Sequence, residues 1–182
     1  MSKVEIIKGD LIDLAKQGEF DVIGQGCNCF CNQGAGLAPQ MVKAFGTDTF
    51  REERKRDSIG RNLVGDVRKL GQIDYETRYI SEDQFGNLSY EGDGSNLEGG
   101  QVKGFAVVNM YTQYRYGSSN GPPLDYEALT LCLRKTNHIF KNKHIGLPWI
   151  GCGLAGGDKD RVLKIIESEL KDCKVTIVEY NK

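Results

Sequence analysis

A glycine-rich segment between an apolar run and a helical run contains the residue types of this sequence best suited to chemistry. Residues 25–40 read QGCNCFCNQGAGLAPQ. The apolar run before them, residues 20–24, predicts a buried strand, and the run from Leu37 predicts a helix whose first turn tolerates Pro39. Three small residues lie between the strand and the helix, Gly34, Ala35 and Gly36. Because the first N–H groups of a helix are unpaired, this first glycine loop (residues 34–37) predicts an anion site. A tight turn without a ligand is the alternative.

A second segment repeats the arrangement. Residues 144–150 predict a strand, and residues 151–157, GCGLAGG, follow it as the second glycine loop. Asp158 then opens an amphipathic helix. Two such loops in one small domain predict a ligand whose phosphates are held from two sides.

Composition limits the classes of protein to consider. The chain of 182 residues is 39% hydrophobic and 27% charged, which predicts a single globular domain spanning residues 1–182. A net charge of −1 gives no electrostatic footprint for direct nucleic-acid binding. Neither a membrane span nor a signal peptide is predicted, so we expect a cytoplasmic protein without a membrane partner.

Six cysteines in a cytoplasmic chain are expected to be reduced thiols. Cys27, Cys29 and Cys31 alternate, and Cys152 or His144 could complete a metal site with them. Their spacing is not the CxxC of zinc ribbons, and cysteine also serves as a small apolar residue. We therefore expect buried thiols, with no metal and no cofactor.

The elements that must position the two loops alternate between strands and helices. Predicted strands cover residues 4–8, 20–24, 62–70, 105–111, 144–150 and 174–180. Predicted helices cover residues 11–16 and 37–45, a stretch from 47 or 48 to about 57, and the stretches that follow the capping residues Asp125 and Asp158. Residues 71–104 predict an inserted hairpin turning at Gly86-Asn87, with a mobile loop at residues 92–100. This order predicts a three-layer α/β/α domain with a mixed, largely parallel sheet. Ligands bind such sheets at the carboxyl ends of the strands.

The second loop also matches the dinucleotide fingerprint as Gly151-x-Gly153-x-x-Gly156. That fingerprint belongs to the first βα unit of its fold, whereas here only one predicted strand follows it. A nicotinamide-dinucleotide fold is therefore disfavoured.

The sequence instead resembles the macro domain family, which binds ADP-ribose. The resemblance covers nearly the whole chain apart from the predicted insert, and it is closest to small stand-alone macro domains of the phage type and of the yeast ADP-ribose 1''-phosphate phosphatase type. Four segments carry it: Gly9-Asp10-Leu11, Gln25-Gly26-Cys27-Asn28, residues 34–38 and residues 148–157.

The resemblance implies a role for each segment. Asp10 would accept a hydrogen bond from the adenine amino group, and the backbone of Leu11 would bind the ring edge. Asn28 would bind the hydroxyls of the distal ribose. Tyr111, or a tyrosine of residues 112–116, would cover a ring or ribose face. The two loops would bind the diphosphate and distal ribose through Gly34, Ala35, Gly36, Leu37, Gly151, Cys152, Gly153, Leu154 and Ala155.

Departures from the family concern catalysis, not binding. Ala38 and Ala155 stand where two hydrolase branches of the family carry an acid, and Gln25 stands where the yeast-type phosphatase carries a histidine. Residues 122–127 also lack the attacking lysine of the branch that releases ADP-ribose from glutamate.

The resemblance thus implies an ADP-ribose-binding domain that hydrolyses a group from the distal ribose, with the 1''-phosphate as the expected group. Asn28 and Asp158 are the candidate catalytic residues, although Asp10 and Asp158 could be helix caps and Asn28 a bridge within its loop. One alternative is a mono-ADP-ribosyl hydrolase acting on modified protein or nucleic acid. Another is a reader that binds ADP-ribose or an ADP-ribosylated macromolecule without chemistry.

Overall fold

A computed structural model describes residues 4–31, 33–34, 36–50, 64–97, 100–115, 124–153 and 156–180. The strands are β1 (Val4–Gly9), β2 (Val22–Asn28), β3 (Ile73–Glu82), β4 (Leu88–Tyr90), β5 (Gln101–Gln113), β6 (His144–Leu147) and β7 (Lys174–Tyr180). The α-helices are α1 (Leu11–Lys16), α2 (Ala38–Phe45), α3 (Tyr126–Ile139) and α4 (Lys159–Glu169). Short 3-10 helices cover Thr47–Thr49 and Val67–Lys69.

The strands form one sheet in the order β1-β7-β6-β2-β5-β3-β4. The neighbours from β1 to β5 in this order are parallel, whereas β3 is antiparallel to both β5 and β4. The carboxyl ends of β1, β7, β6, β2 and β5 therefore lie at one edge, which we call the carboxyl edge.

Helices cover both faces of this sheet. On one face, α3 and α4 bury apolar side chains at helical spacing, Leu129, Leu133, Val162 and Ile166. On the other face, α1 and α2 bury Leu11, Ala15, Met41 and Phe45. The predicted three-layer α/β/α architecture is confirmed. Among the described residues, no helix is long and apolar enough to cross a membrane.

The predicted strand over residues 62–70 is wrong where the structure describes it. From Val64 the chain turns and then enters the 3-10 helix Val67–Lys69. Gly65 has a φ of +76°, and the Asp66 side chain accepts a hydrogen bond from the backbone N of Arg68 at 2.8 Å. A left-handed glycine and an aspartate cap turn the backbone instead of extending it.

The hairpin of residues 71–104 is confirmed, but it is more than an insert. It turns through Gly86, whose φ is +81° and whose N donates to the carbonyl of Asp83 at 3.1 Å. All 10 residues of β3 pair with β5, so the hairpin extends the central sheet. The mobility of residues 92–100 stays a prediction.

The predicted helix that reaches residue 57 falls mainly outside the described residues, and the 3-10 helix Thr47–Thr49 occupies its start.

Candidate functional site

The sheet brings the predicted binding residues to its carboxyl edge. Asp10 follows β1, and the second glycine loop follows β6. Asn28 is the last residue of β2, and the first glycine loop comes after it in the chain. Because neighbouring strands are about 4.8 Å apart, the three steps from β1 to β2 span roughly 14 Å. An elongated ligand lying along this edge would meet Asp10 at one end, and then the two loops side by side.

The first glycine loop ends at a helix N-terminus without a side-chain cap. Leu37 is the N-cap residue of α2 and makes no side-chain hydrogen bond there. Gly36 has a φ of +67°, and a Cβ at this position would meet nothing within 4 Å. Open space beside uncapped N–H groups is what an anion needs at a helix N-terminus. Ala35 lies outside the described residues.

A network of amide side chains fixes the approach to this loop. The buried Gln25 on β2 donates through Nε2 to Asn109 Oδ1 at 2.9 Å and to Gln33 Oε1 at 3.1 Å. Asn109 Nδ2 and Gln33 Nε2 both donate to the Thr47 carbonyl, at 2.9 and 3.2 Å. The Thr47 hydroxyl donates a hydrogen bond to Gln33 Oε1 at 2.6 Å. A hydrogen-bonded network of this kind specifies one arrangement, so it holds Gln33, directly before the loop, against the sheet.

The second glycine loop is closed by its own backbone. Gly157 N donates to the Gly151 carbonyl at 2.7 Å, and Gly156 N donates to the Gly153 carbonyl at 3.0 Å. Gly151 has a φ of +71°, a conformation that favours glycine. At Gly153, a Cβ would meet nothing within 4 Å, so the loop presents bare backbone there. The predicted contacts Leu154 and Ala155 lie outside the described residues.

Two residues predicted to bind the ends of the ligand also make local hydrogen bonds. Asp10 is the N-cap of α1, and its Oδ1 accepts from the backbone N of Ile12 at 2.9 Å and of Asp13 at 3.1 Å. Asn28 is buried, and its Oδ1 accepts from the backbone N of Phe30 at 3.1 Å. These are the structural roles considered as alternatives. If Asp10 and Asn28 also bind the ligand, each side chain must make its local hydrogen bond and the ligand contact at the same time.

Asp158 likewise caps a helix. Its Oδ1 accepts from the backbone N of Asp160 at 2.9 Å and of Arg161 at 3.3 Å, at the start of α4. Both bonds use the same carboxylate oxygen, and the residue is exposed beside the second glycine loop. The cap is therefore established by geometry, and the catalytic role stays a prediction.

Tyr111, predicted to cover a ring or ribose face of the ligand, lies buried in the sheet. Its side chain is only 5% exposed, and its hydroxyl donates to Asp74 Oδ2 at 2.6 Å. The ammonium of Lys69 lies 4.2 Å from its ring centroid. Burial, and then the Asp74 carboxylate, raise the pKa of the Tyr111 hydroxyl. Its ring thus contacts other parts of the protein, and its predicted contact with a ligand stays a prediction. Tyr114, from the predicted alternative loop, is 41% exposed and packs on Phe30.

The cysteines can be compared with the metal site considered for them. Among the described residues, no group of three or more potential ligands could hold a metal ion. His144 begins β6, at the edge of the sheet opposite the end of β2, so it cannot join Cys27. Burial raises the pKa of Cys27 and Cys152, and raises that of Cys29 to about 11. These thiols are protonated at neutral pH and are weak nucleophiles.

Two aromatic residues that were not among the predicted site residues, Trp149 and Tyr180, lie towards the β1–β7 end of the carboxyl edge. Trp149 Nε1 donates to Glu179 Oε1 at 2.7 Å, and the Lys159 ammonium lies 5.3 Å from the indole centroid. Tyr180 is 60% exposed and pairs in register with Gly9, directly before Asp10. An exposed ring here offers a surface for a planar group. The sequence did contain a signal for this ring, because Tyr180 is the aromatic residue that ends the last predicted strand.

The topology and the two loops define a class of fold, which comparison with solved structures identifies as the macrodomain fold. The macrodomain of Thermus aquaticus DarG aligns over 100% of both chains with a TM-score of 0.60 and 17% identity. Thermosipho africanus DarTG in complex with ADP-ribose aligns with a TM-score of 0.63 and 13% identity, over 98% of this chain and 42% of that one.

A relative in sequence comes from a phage. A 17.5 kDa protein of the tk-vs intergenic region of Enterobacteria phage T4 is 28% identical over 181 residues, 97% of this chain and 96% of that protein. No family model matches the chain. The resemblance predicted from the four sequence segments is thus confirmed at the level of the fold.

Proposed function

We propose that this protein binds ADP-ribose along the carboxyl edge of its sheet. The observation that carries the proposal is the pair of glycine loops at the ends of the neighbouring strands β6 and β2, with Asp10 roughly 14 Å along the same edge. The loops would hold the diphosphate, Asp10 and Leu11 the adenine, and Asn28 the distal ribose. A structural neighbour that is itself a complex with ADP-ribose supports this choice of ligand.

Calorimetric titration of the protein with ADP-ribose, AMP and NAD tests the proposal. We expect ADP-ribose to bind most tightly, because it alone reaches from Asp10 to Asn28 without the bulk of the nicotinamide. AMP lacks the distal ribose and should bind more weakly. An absence of ADP-ribose binding would contradict the proposal outright.

We further propose hydrolysis at the distal ribose, with ADP-ribose 1''-phosphate as substrate in the cytoplasm. Water would attack phosphorus, and the bond between phosphorus and the ribose oxygen would break. The ribose oxygen would take a proton from solvent, so that ADP-ribose and phosphate are released. Backbone N–H groups of the loops suit the charge that develops on the phosphoryl oxygens. Asp158 is the carboxylate nearest along the chain to the second loop, and it could accept the proton of the water.

Turnover assays separate this activity from its alternatives. Release of phosphate from ADP-ribose 1''-phosphate supports the phosphatase. Release of ADP-ribose from modified protein or nucleic acid would instead support a mono-ADP-ribosyl hydrolase. Binding without turnover of either substrate would leave a reader of ADP-ribose.

Replacement of Asp10 by alanine tests the adenine contact. We expect the affinity for ADP-ribose to fall by on the order of 1–3 kcal/mol, since Asp10 would lose its bond from the amino group. The loss should be smaller for the inosine analogue, which has no amino group. Because Asp10 also caps α1, stability should fall by about 0.5–2 kcal/mol, measured by urea unfolding.

Asp125→Ala is the matched control, because Asp125 caps α3 in the same way, accepting from Ala128 N at 3.0 Å. It should lower stability comparably without distinguishing the two ligands. If Asp10→Ala weakens both ligands equally, Asp10 is a cap and nothing more.

A further inference from the structure

The segment that leads into α3 lies against the second glycine loop. It is anchored first to the end of β5: Leu124 forms an antiparallel bridge with Gln113, and Asp125 N donates to the Thr112 carbonyl at 2.8 Å. The carboxyl end of β5 and the start of α3 therefore form one fixed support beside the loop.

Leu124 fills the space under both ends of the loop. It is 5% exposed, and a Cβ on Gly151 would lie 2.6 Å from its side chain. A Cβ on Gly157 would lie 2.5 Å from the same side chain. Contacts this short leave no room for any side chain, so the two glycines allow the loop to settle directly on Leu124.

Tyr126, two residues after Leu124, contacts the backbone at the junction between the second glycine loop and α4. Its hydroxyl accepts a hydrogen bond from the backbone N of Asp158 at 3.0 Å. The guanidinium of Arg161 covers its ring at 3.7 Å from the centroid, a cation–π contact that fixes the ring. The backbone at the end of the loop is thus held by a side chain from a different helix.

We propose that Tyr126 is a positioning residue for ligand binding: its hydroxyl holds the second glycine loop in the orientation that the diphosphate and distal ribose require. The inference rests on the proposed binding of ADP-ribose. Fixed donors bind an anion more tightly than mobile ones, because their ordering has no further entropic cost at binding. Tyr126 touches no part of the ligand in this scheme and acts through the backbone at Asp158, where the loop ends.

The variant Tyr126→Phe tests the proposal, because it removes the hydroxyl and keeps the ring beneath Arg161. We expect the affinity for ADP-ribose to fall roughly threefold to tenfold, the effect of losing one hydrogen bond in this role. Adenosine, titrated by NMR, should bind parent and variant equally, since it lacks the diphosphate and lies towards Asp10. Hydrogen exchange at the Asp158 amide should become faster. Tyr79→Phe, in the distant hairpin strand β3, should change none of these.

Each other outcome is decisive. Equal affinities of parent and variant for ADP-ribose would overturn the positioning role. An equal loss for ADP-ribose and adenosine would also overturn it, because a general loosening of the fold would then be responsible. If the parent itself does not bind ADP-ribose, the proposed function fails and the inference fails with it.

Discussion

Gly153→Glu is expected to lower the affinity for ADP-ribose by on the order of a hundredfold or more, since juxtaposed like charges cost several kcal/mol. The new carboxylate would occupy the space reserved for the diphosphate. The fold should survive, because a side chain at residue 153 meets open space and its backbone needs no left-handed conformation. Calorimetry with ADP-ribose measures the first effect and thermal unfolding the second.

Gly153→Ala is the control for side-chain size without charge. A methyl group at this position also meets open space, so the affinity should change far less than in the glutamate variant. Should the glutamate variant bind ADP-ribose as tightly as the parent, the diphosphate does not lie against the second glycine loop.

Asp158→Asn is expected to reduce turnover of ADP-ribose 1''-phosphate by roughly 10²-fold while ADP-ribose still binds, because an amide is a far poorer base than a carboxylate. Stability should hardly change, since asparagine caps a helix about as well as aspartate. The substitution therefore separates the catalytic role from the cap seen in the structure. Phosphate release and the melting temperature are the two measurements.

Asp160→Asn is the matched control, because Asp160 is an exposed acid in the first turn of the same helix, whose N-cap is Asp158. It should leave turnover unchanged. Full turnover in Asp158→Asn would reduce Asp158 to a cap, and the chemistry would then rest on Asn28 and the backbone donors.

Local sequence signals predicted most of the elements of the fold. Apolar runs marked β2, β5 and β7, and Asp125 and Asp158 marked the starts of α3 and α4, because strands and caps depend on near neighbours in the chain. The strand predicted over residues 62–70 was wrong, since Gly65 and Asp66 turn the backbone there. The pairing of β3 with β5 was not predictable, because it joins residues far apart in the sequence.

The sequence predicted which residues belong to the candidate site, but not their positions relative to one another. The order of strands along the carboxyl edge, which separates Asp10 from Asn28, is a property of the whole sheet. Nothing in the sequence says which face of β5 Tyr111 occupies, so its bond to Asp74 was missed. The amide network of Gln25, Gln33 and Asn109 was equally hidden, because each glutamine or asparagine alone resembles an ordinary surface residue.

The parallel pairing of β1 with β7 has a consequence for the order in which the protein matures. β7 is the only neighbour of β1 in the sheet of described residues, and their register begins with Val4 opposite Val175. β1 must therefore wait for a strand that is synthesised much later, and contacts so distant in the sequence form late and slow folding. Asp10 and Leu11 follow directly from β1. During synthesis, the segment proposed to bind adenine would therefore reach its final place in the sheet only after β7 had emerged from the ribosome.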